Sequence, residues 1–280
     1  MKERTPPKYI DDLLRSWRKM IFISGPRQVG KTTLAKAYGE ASGGAVYFNW
    51  DIITDQKKLA RNPYFFEEEN RTPNNIVILD EIHKFAKWKN YLKGAYDKYG
   101  DEFLFIVTGS GRLDLFKKGG DSLMGRYIPV QLFPFTLSEL AGRYVAFGDF
   151  RDFLTHGAPE IHASSEDYKA LLELGGFPEP FIRGEKTSYN IWHQERKSLL
   201  IRADIRDATN IREISLLEML SHLVVGRIGS PLSINSLRED LGVAFETARD
   251  WIEILSRFYY LFQIAPYSGE GVQSLPVRLG

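Results

Sequence analysis

Nine consecutive residues, Gly25-Pro26-Arg27-Gln28-Val29-Gly30-Lys31-Thr32-Thr33, fit the phosphate-binding pattern G-x-x-x-x-G-K-[ST]. A loop of this composition wraps backbone N–H groups around a phosphate, and the helix that follows adds its positive end. Gly25, Pro26, Gln28, Val29, Gly30, Lys31, Thr32 and Thr33 are therefore assigned to a triphosphate. Lys31 is placed to reach the β- and γ-phosphates, and the Thr32 hydroxyl to complete the shell of a Mg²⁺ ion that keeps several waters.

A second group of chemically capable residues closes the apolar run Ile76 to Leu79, which ends in Asp80-Glu81. A buried parallel strand delivers its C-terminal residue to the crevice where ligands bind in open α/β sheets. Asp80 is expected to hold Mg²⁺ through a water beside Thr32, and Glu81 to orient an attacking water and accept its proton. Transfer to water needs such a group, and no N-K-x-D guanine-reading motif is present, so the reading is ATP hydrolysis. Phe103 to Thr108 runs into Thr108-Gly109-Ser110, whose Thr108 and Ser110 are placed to sense the γ-phosphate or the attacking water. Arg126 precedes the next strand, where it can stabilise transition-state charge in a neighbouring subunit or report on the γ-phosphate in cis.

The elements that must position these residues are legible in the apolar pattern. Met20 to Ser24, Ala45 to Asn49, Ile76 to Leu79, Phe103 to Thr108 and Tyr127 to Leu132 read as strands, with helical patterns between most of them, notably Thr32 to Tyr38 and Trp88 to Tyr99. Continuous apolar strands alternating with helices predict a parallel sheet covered on both faces, a three-layer α/β domain. After Pro134 helical patterns take over. Leu137 to Phe147, Ser165 to Leu174 and Lys186 to Asn210 form an expected helical module interrupted at Gly175-Gly176-Phe177-Pro178. Three further helices follow, Leu216 to Val225, Ile234 to Leu241 capped by Ser233, and Ala244 to Phe258. With a strand at Tyr259 to Ile264 they have the order of a winged helix-turn-helix.

Composition bounds the function. The 280 residues are 43% hydrophobic and 26% charged, long enough for about two domains. Absence of cysteine excludes disulfides and thiolate metal sites. No apolar run approaches a membrane span and the N-terminus lacks a signal-peptide core, so a cytoplasmic location without membrane contact is expected. Residues 1–145 hold 23 Lys+Arg against 17 Asp+Glu and the remainder 14 against 19, which places affinity for phosphate in the first half. The five histidines have no short metal-ligand spacing, and a zinc site is not expected. Tyr9 or Ile10, ahead of the first strand, could touch an adenine or simply pack, and Arg183 and Arg196 read as lid arginines or as helix surface.

Taken together, GPRQVGKTTLA, VILDEIHK, VTGSGRLDL, SLMGRYIPVQLFPFTLSEL and LLELGGFPEPF resemble prokaryotic AAA-type ATPases usually joined to a DUF4143 domain, over about Thr5 to Tyr267. The resemblance implies a P-loop NTPase three-layer sandwich of the ASCE class, then an α-helical lid and a winged helix-turn-helix. The expected boundaries are 1–135 for the ATPase core, 136–210 for the lid, 211–267 for the winged helix and 268–280 for a loose tail. It assigns Asp80 and Glu81 to Walker B, Thr108 to Ser110 to sensor 1, and Arg126 to an arginine-finger-like position. Family members continue into a domain resembling PD-(D/E)xK nucleases, and the chain departs from that pattern after Pro266-Tyr267. The triplet Asp55-Gln56-Lys57 reads as a solvated helix start, so no nuclease activity is assigned.

Three functional readings stay open at this level. The first is an ATPase with Mg²⁺ that moves its lid and winged helix. The second is a slow-hydrolysing switch that binds ATP and holds a protein partner, and the third is a winged-helix DNA-binding regulator. A homo-oligomer is expected if Arg126 acts between subunits. Residues 210–265 carry five basic groups against seven acidic ones, which argues against DNA affinity from this unit alone.

Overall fold

Nearly every position of β1 (Met20–Ser24), β3 (Ile76–Asp80) and β4 (Leu104–Thr108) is apolar, so these segments have no face to offer water, and all three are buried throughout. The computed structural model describes residues 7–69, 73–109, 123–142, 155, 163–206, 209, 211–264 and 278–279. The chain divides into two compact units, Met1–Asn190 and Ile191–Gly280.

The first unit is built on a five-stranded parallel sheet. With β2 (Val46–Asn49) and β5 (Tyr127–Gln131) added, the strand order is β2-β3-β4-β1-β5, and every pairing is parallel. Side chains alternate faces along each strand. Met20, Phe22, Val77, Leu79, Phe105 and Val107 therefore enter one core, whereas Ile21, Ile23, Ile76, Ile78, Leu104 and Ile106 enter the other. The first core is rich in aromatic residues and is closed by Leu59 of α3 (Ile53–Arg61), by Phe65 and Phe66, and by Trp88, Leu92, Ala95 and Tyr99 of α4 (Trp88–Tyr99). The second is closed by Ile10 and Leu14 of α1 (Pro7–Trp17) and by Leu34, Ala35 and Tyr38 of α2 (Lys31–Ala41). This is the expected three-layer α/β sandwich. Asp55 lies in the first turn of α3 and accepts from the Asn49 amide, a helix-start role rather than part of a nuclease triplet.

Short helices follow β5 in the same unit. They are α5 (Leu137–Leu140), α6 (Ser165–Leu174) and α7 (Pro178–Arg183), capped at their starts by Thr136, Ser164 and a first-turn proline. The expected helix from Leu137 ends at Leu140, and its continuation beyond Gly142 lies outside the described residues. The Gly175 to Pro178 break ties this segment to the exit of β5. The Phe135 amide donates to the Gly176 carbonyl at 2.6 Å, and the Phe135 and Phe181 rings stand 5.5 Å apart.

The second unit is helical. α8 (Lys186–Leu199) crosses the unit boundary and runs on as a wider π turn, Leu200–Ile205, which buries Leu200, Ile201 and Ile205. Next come α9 (Ile214–Val225), α10 (Ile234–Leu241) and α11 (Phe245–Arg257). Ser233 caps α10 as expected, by accepting from the Ser236 amide, and Gly242 at φ 68° makes the turn into α11. The expected strand Tyr259 to Ile264 is much shorter. Only β6 (Gln263–Ile264) is extended, paired antiparallel with β7 (Arg278–Leu279), so two residues of the expected loose tail are in a ribbon. The strand starts late because Tyr259 adopts φ 60° and the Tyr260 amide closes the end of α11 on the Leu255 carbonyl at 2.9 Å.

One glycine tests how tightly the segment after α6 is held to the sheet. A Cβ on Gly176 would lie 2.3 Å from the Phe135 carbonyl oxygen and 3.0 Å from its nitrogen, both backbone atoms. Gly176→Ala is expected to cost about 1–3 kcal/mol, read as a lower urea midpoint with an unchanged slope.

Candidate functional site

The candidate site lies at the C-terminal edge of the parallel sheet, where β1, β3 and β4 all end. Ser24 pairs with Gln131, and Leu132 donates back to the Ser24 carbonyl at 2.8 Å, so the chain leaves β1 pressed against the end of β5. Only glycine fits next: a Cβ on Gly25 would lie 2.2 Å from the Leu132 carbonyl oxygen. Pro26 and Val29 are buried and anchor the loop, whereas Arg27, Gln28 and Thr33 are exposed. Gln28 and Gly30 take left-handed backbone, φ 62° and 95°, and α2 begins at Lys31. Left-handed residues beside a helix N-terminus turn successive N–H groups toward one point, which makes an anion-binding concavity. The Lys31 ammonium is buried and folded back over the loop, donating to the carbonyls of Pro26 at 2.8 Å and Gly25 at 3.1 Å. Both are neutral acceptors, so a phosphate oxygen competes for this cation with the stronger, charge-assisted bond.

Asp80 is the centre of the arrangement. It is 1% exposed at the end of β3, and three hydroxyls from three other elements converge on its carboxylate. Thr32 of α2 donates to Oδ2 at 2.8 Å, Tyr47 of β2 donates to the same oxygen at 2.7 Å, and Thr108 of β4 donates to Oδ1. A buried carboxylate is tolerated only when paired or hydrogen-bonded. Here the three hydrogen bonds come from neutral hydroxyls, one of them on the loop residue Thr32. The donor set, an alcohol beside a carboxylate at the foot of a phosphate loop, suits a hard cation such as Mg²⁺ that keeps most of its waters. Among the described residues there is no cluster of three or more His, Asp or Glu that could hold a metal by protein ligands alone.

Glu81 follows in left-handed backbone, φ 54° and ψ 22°, a conformation that costs a non-glycine residue roughly 1 kcal/mol. Its amide still donates to the Thr108 carbonyl at 3.1 Å, so the turn is fastened to β4. The partly buried carboxylate lies 3.5 Å from His83 Nε2 and 3.6 Å from Lys84 Nζ. Burial pushes the Glu81 carboxyl up, Asp80 and Asp51 add to that push, and Lys84 and Lys31 oppose it. A carboxylate whose pKa is raised is a better proton acceptor than an ordinary surface glutamate.

Not every expected residue joins this site. Ser110 lies outside the described residues, and Thr108 is the part of that tip that can be placed. Arg126 stands at the other edge of the sheet. Its neighbour Tyr127 pairs with Met20, the first residue of β1, and its guanidinium grips Asp97 of α4 at 2.6 and 3.1 Å. Four residues of strand, about 13 Å, separate that edge from the loop, so the cis γ-phosphate role for Arg126 is set aside. The signal was in the sequence: a residue just before a parallel strand always lies at the edge away from the strand's C-terminal end. Ile10 is fully buried in the second core, the packing role rather than the adenine contact. Tyr47 was missed, because a tyrosine inside an apolar strand reads as core.

Residues 17–141 match the family model of an AAA domain. Residues 165–277 match the model of a domain of unknown function, DUF8612. The chain is similar to two uncharacterized proteins of Methanocaldococcus jannaschii. It is 24% identical to MJ1544, covering 82% of this chain and 56% of that protein, and 25% identical to MJ1637, covering 95% and 60%. An uncharacterized Mycobacterium tuberculosis protein, Rv2008c, is 21% identical over 89% of this chain and 50% of its own. The chain thus spans between half and three fifths of the length of these relatives. Among solved structures, it is similar to a signal-transduction ATPase with numerous domains carrying a tetratricopeptide repeat sensor from Pyrococcus horikoshii. That match has a TM-score of 0.39 and 15% identity over 92% of this chain and 40% of that one. NtrX of Brucella abortus in complex with ATP gives a TM-score of 0.35 at 17% identity, over 89% and 67%.

The hydroxyl cluster carries a stability prediction independent of any ligand. Thr108→Val keeps the side-chain shape and removes a donor from a buried carboxylate, so it is expected to cost about 1.5–3 kcal/mol, measured by chemical unfolding of the ligand-free protein.

Proposed function

We propose that this chain binds Mg-ATP at the Gly25 to Thr33 loop and hydrolyses it. The observation that carries the reading is the 2.8 Å hydrogen bond from Thr32 to Asp80, which joins the last part of a phosphate loop to a carboxylate at the tip of another strand. The match of residues 17–141 to an AAA domain supports the same reading.

In this reading the loop amides and Lys31 bind and orient the triphosphate. Thr32 and Asp80 hold Mg²⁺, which when bound neutralises charge on the phosphate oxygens. Glu81 orients a water for in-line attack on the γ-phosphorus and takes one of its protons as the bond to ADP breaks. Thr108 donates to Asp80 and fastens Glu81 through its carbonyl, so one residue touches both carboxylates' positions. That double contact is a route by which the presence of the third phosphate can be felt at β4, the sensor role proposed for Thr108. Arg126 belongs to this scheme only across a subunit interface of a homo-oligomer, since its own loop is at the far edge of the sheet.

The lid, residues 136–210, and the winged-helix unit, residues 211–267, are proposed as the parts that respond to nucleotide state. A kinship with proteins that carry DUF4143 domains stays within this proposal, as does the partner protein. DNA recognition by α11 is disfavoured by its own ion pairs. Arg249 is held by Glu246 and Asp250, and Arg257 by Glu253, so neither basic group faces outward without an acid beside it.

Two substitutions separate binding from turnover. Lys31→Ala should abolish binding of a fluorescent ATP analogue, whereas Glu81→Gln should keep binding within a few-fold and lower phosphate release by at least 10²-fold. Normal hydrolysis by the Glu81→Gln protein would remove Glu81 from the role. For Arg126, the specific rate of the unmodified protein should rise with protein concentration, and Arg126→Ala should remove that rise while leaving nucleotide affinity unchanged. A rate independent of concentration would dismiss action between subunits.

A further inference from the structure

We propose that Tyr47 is a positioning residue for Asp80, and that its hydroxyl sets the affinity of the site for Mg²⁺. This rests on the nucleotide reading above. Tyr47 and Thr32 donate to one and the same carboxylate oxygen, Oδ2, at 2.7 and 2.8 Å. Thr32 comes from α2, the helix that follows the phosphate loop. Tyr47 comes from β2, the edge strand, and holds that oxygen from the side of the sheet.

The Tyr47 ring is itself fixed from two directions. Lys36 of α2 places its ammonium 4.1 Å from the ring centroid, and the Asn49 side-chain Nδ2 donates to the phenol oxygen at 3.3 Å. Parallel pairing puts Tyr47 beside Ile78 and Asn49 beside Asp80, so the phenol reaches two residues along β3 on the same face. A phenol held by these contacts keeps its hydroxyl on Oδ2 and so keeps Asp80 in one rotamer. Outer-shell bonds of this kind orient ligating carboxylates, and their loss costs 10- to 100-fold in metal affinity.

Tyr47→Phe removes the hydroxyl alone and leaves the ring and the Lys36 contact. With a methylanthraniloyl-labelled ATP as probe, binding in EDTA should stay within about twofold of the unmodified protein. The Mg²⁺ concentration that half-saturates the Mg-dependent increase should rise roughly 10-fold. Replacement of Tyr47 by p-aminophenylalanine, which keeps a donor at the same ring position, should restore most of the loss. An unchanged Mg²⁺ midpoint in Tyr47→Phe overturns the proposal even if that protein melts earlier, because packing alone then accounts for the residue.

A second measurement needs no nucleotide. Unfolding midpoints of the single variants Tyr47→Phe and Asp80→Asn, and of the double, should be non-additive, since the phenol's partner is the charge on Asp80. Additive effects overturn the proposal independently of whether ATP binds. If the unmodified protein binds the probe with no Mg²⁺ dependence, the role of Tyr47 in Mg²⁺ affinity is overturned, whereas failure to bind the probe at all overturns the nucleotide reading.

Discussion

A carboxylate taken out of water has to be compensated, and the C-terminal edge of the sheet is arranged around one such group. Asp80 is almost completely enclosed, and hydroxyls from α2, β2 and β4 reach it. Pairing with an arginine or lysine would also make burial tolerable, but it would spend the negative charge. Neutral donors lower the cost of burial and leave a charge that a hard cation can use. Each of those donors is delivered by a different element, so the site forms only when the strand order is complete.

The phosphate loop depends on the same arrangement. Its entry is fixed by the contact of Gly25 with the Leu132 carbonyl at the end of β5, and its exit by the Thr32 bond to Asp80. Between these ends, left-handed Gln28 and Gly30 turn the backbone inward, and buried Val29 pins the loop to the core beneath it. The segment after α6 is bonded to the same exit of β5, where the Phe135 amide donates to the Gly176 carbonyl three residues beyond Leu132. Asp80 and Glu81, though adjacent, sit in different surroundings: hydroxyl donors enclose Asp80, and burial pushes the Glu81 carboxyl up.

How much of this was legible depended on the range of the interaction. Continuous apolar runs made β1, β3 and β4 readable, since a strand buried on both faces can contain little else. The cap at Ser233 was readable because it acts within three residues. The ribbon after α11 was misread as a longer strand because Tyr259 to Leu261 are aromatic and apolar. Their burial serves the end of a helix, where Tyr260 closes the last turn and Phe258 and Leu261 fill the core. Arg126 was given two roles from its place in the chain, and the parallel register of β5 with β1 removes the one in cis.

By itself the sequence determined the phosphate loop, the alternation that makes a two-faced parallel sheet, and the two acids at the tip of β3. All of these are patterns of neighbouring residues, set by backbone geometry and by the cost of exposing apolar surface. Only the tertiary structure decided that Thr32, Tyr47 and Thr108, separated from Asp80 by 48, 33 and 28 residues, would meet on one carboxylate. That meeting follows from the order β2-β3-β4-β1, in which β3 lies between the strands that carry Tyr47 and Thr108. Strand order is a property of how crossovers pack against a sheet, which no run of adjacent residues encodes.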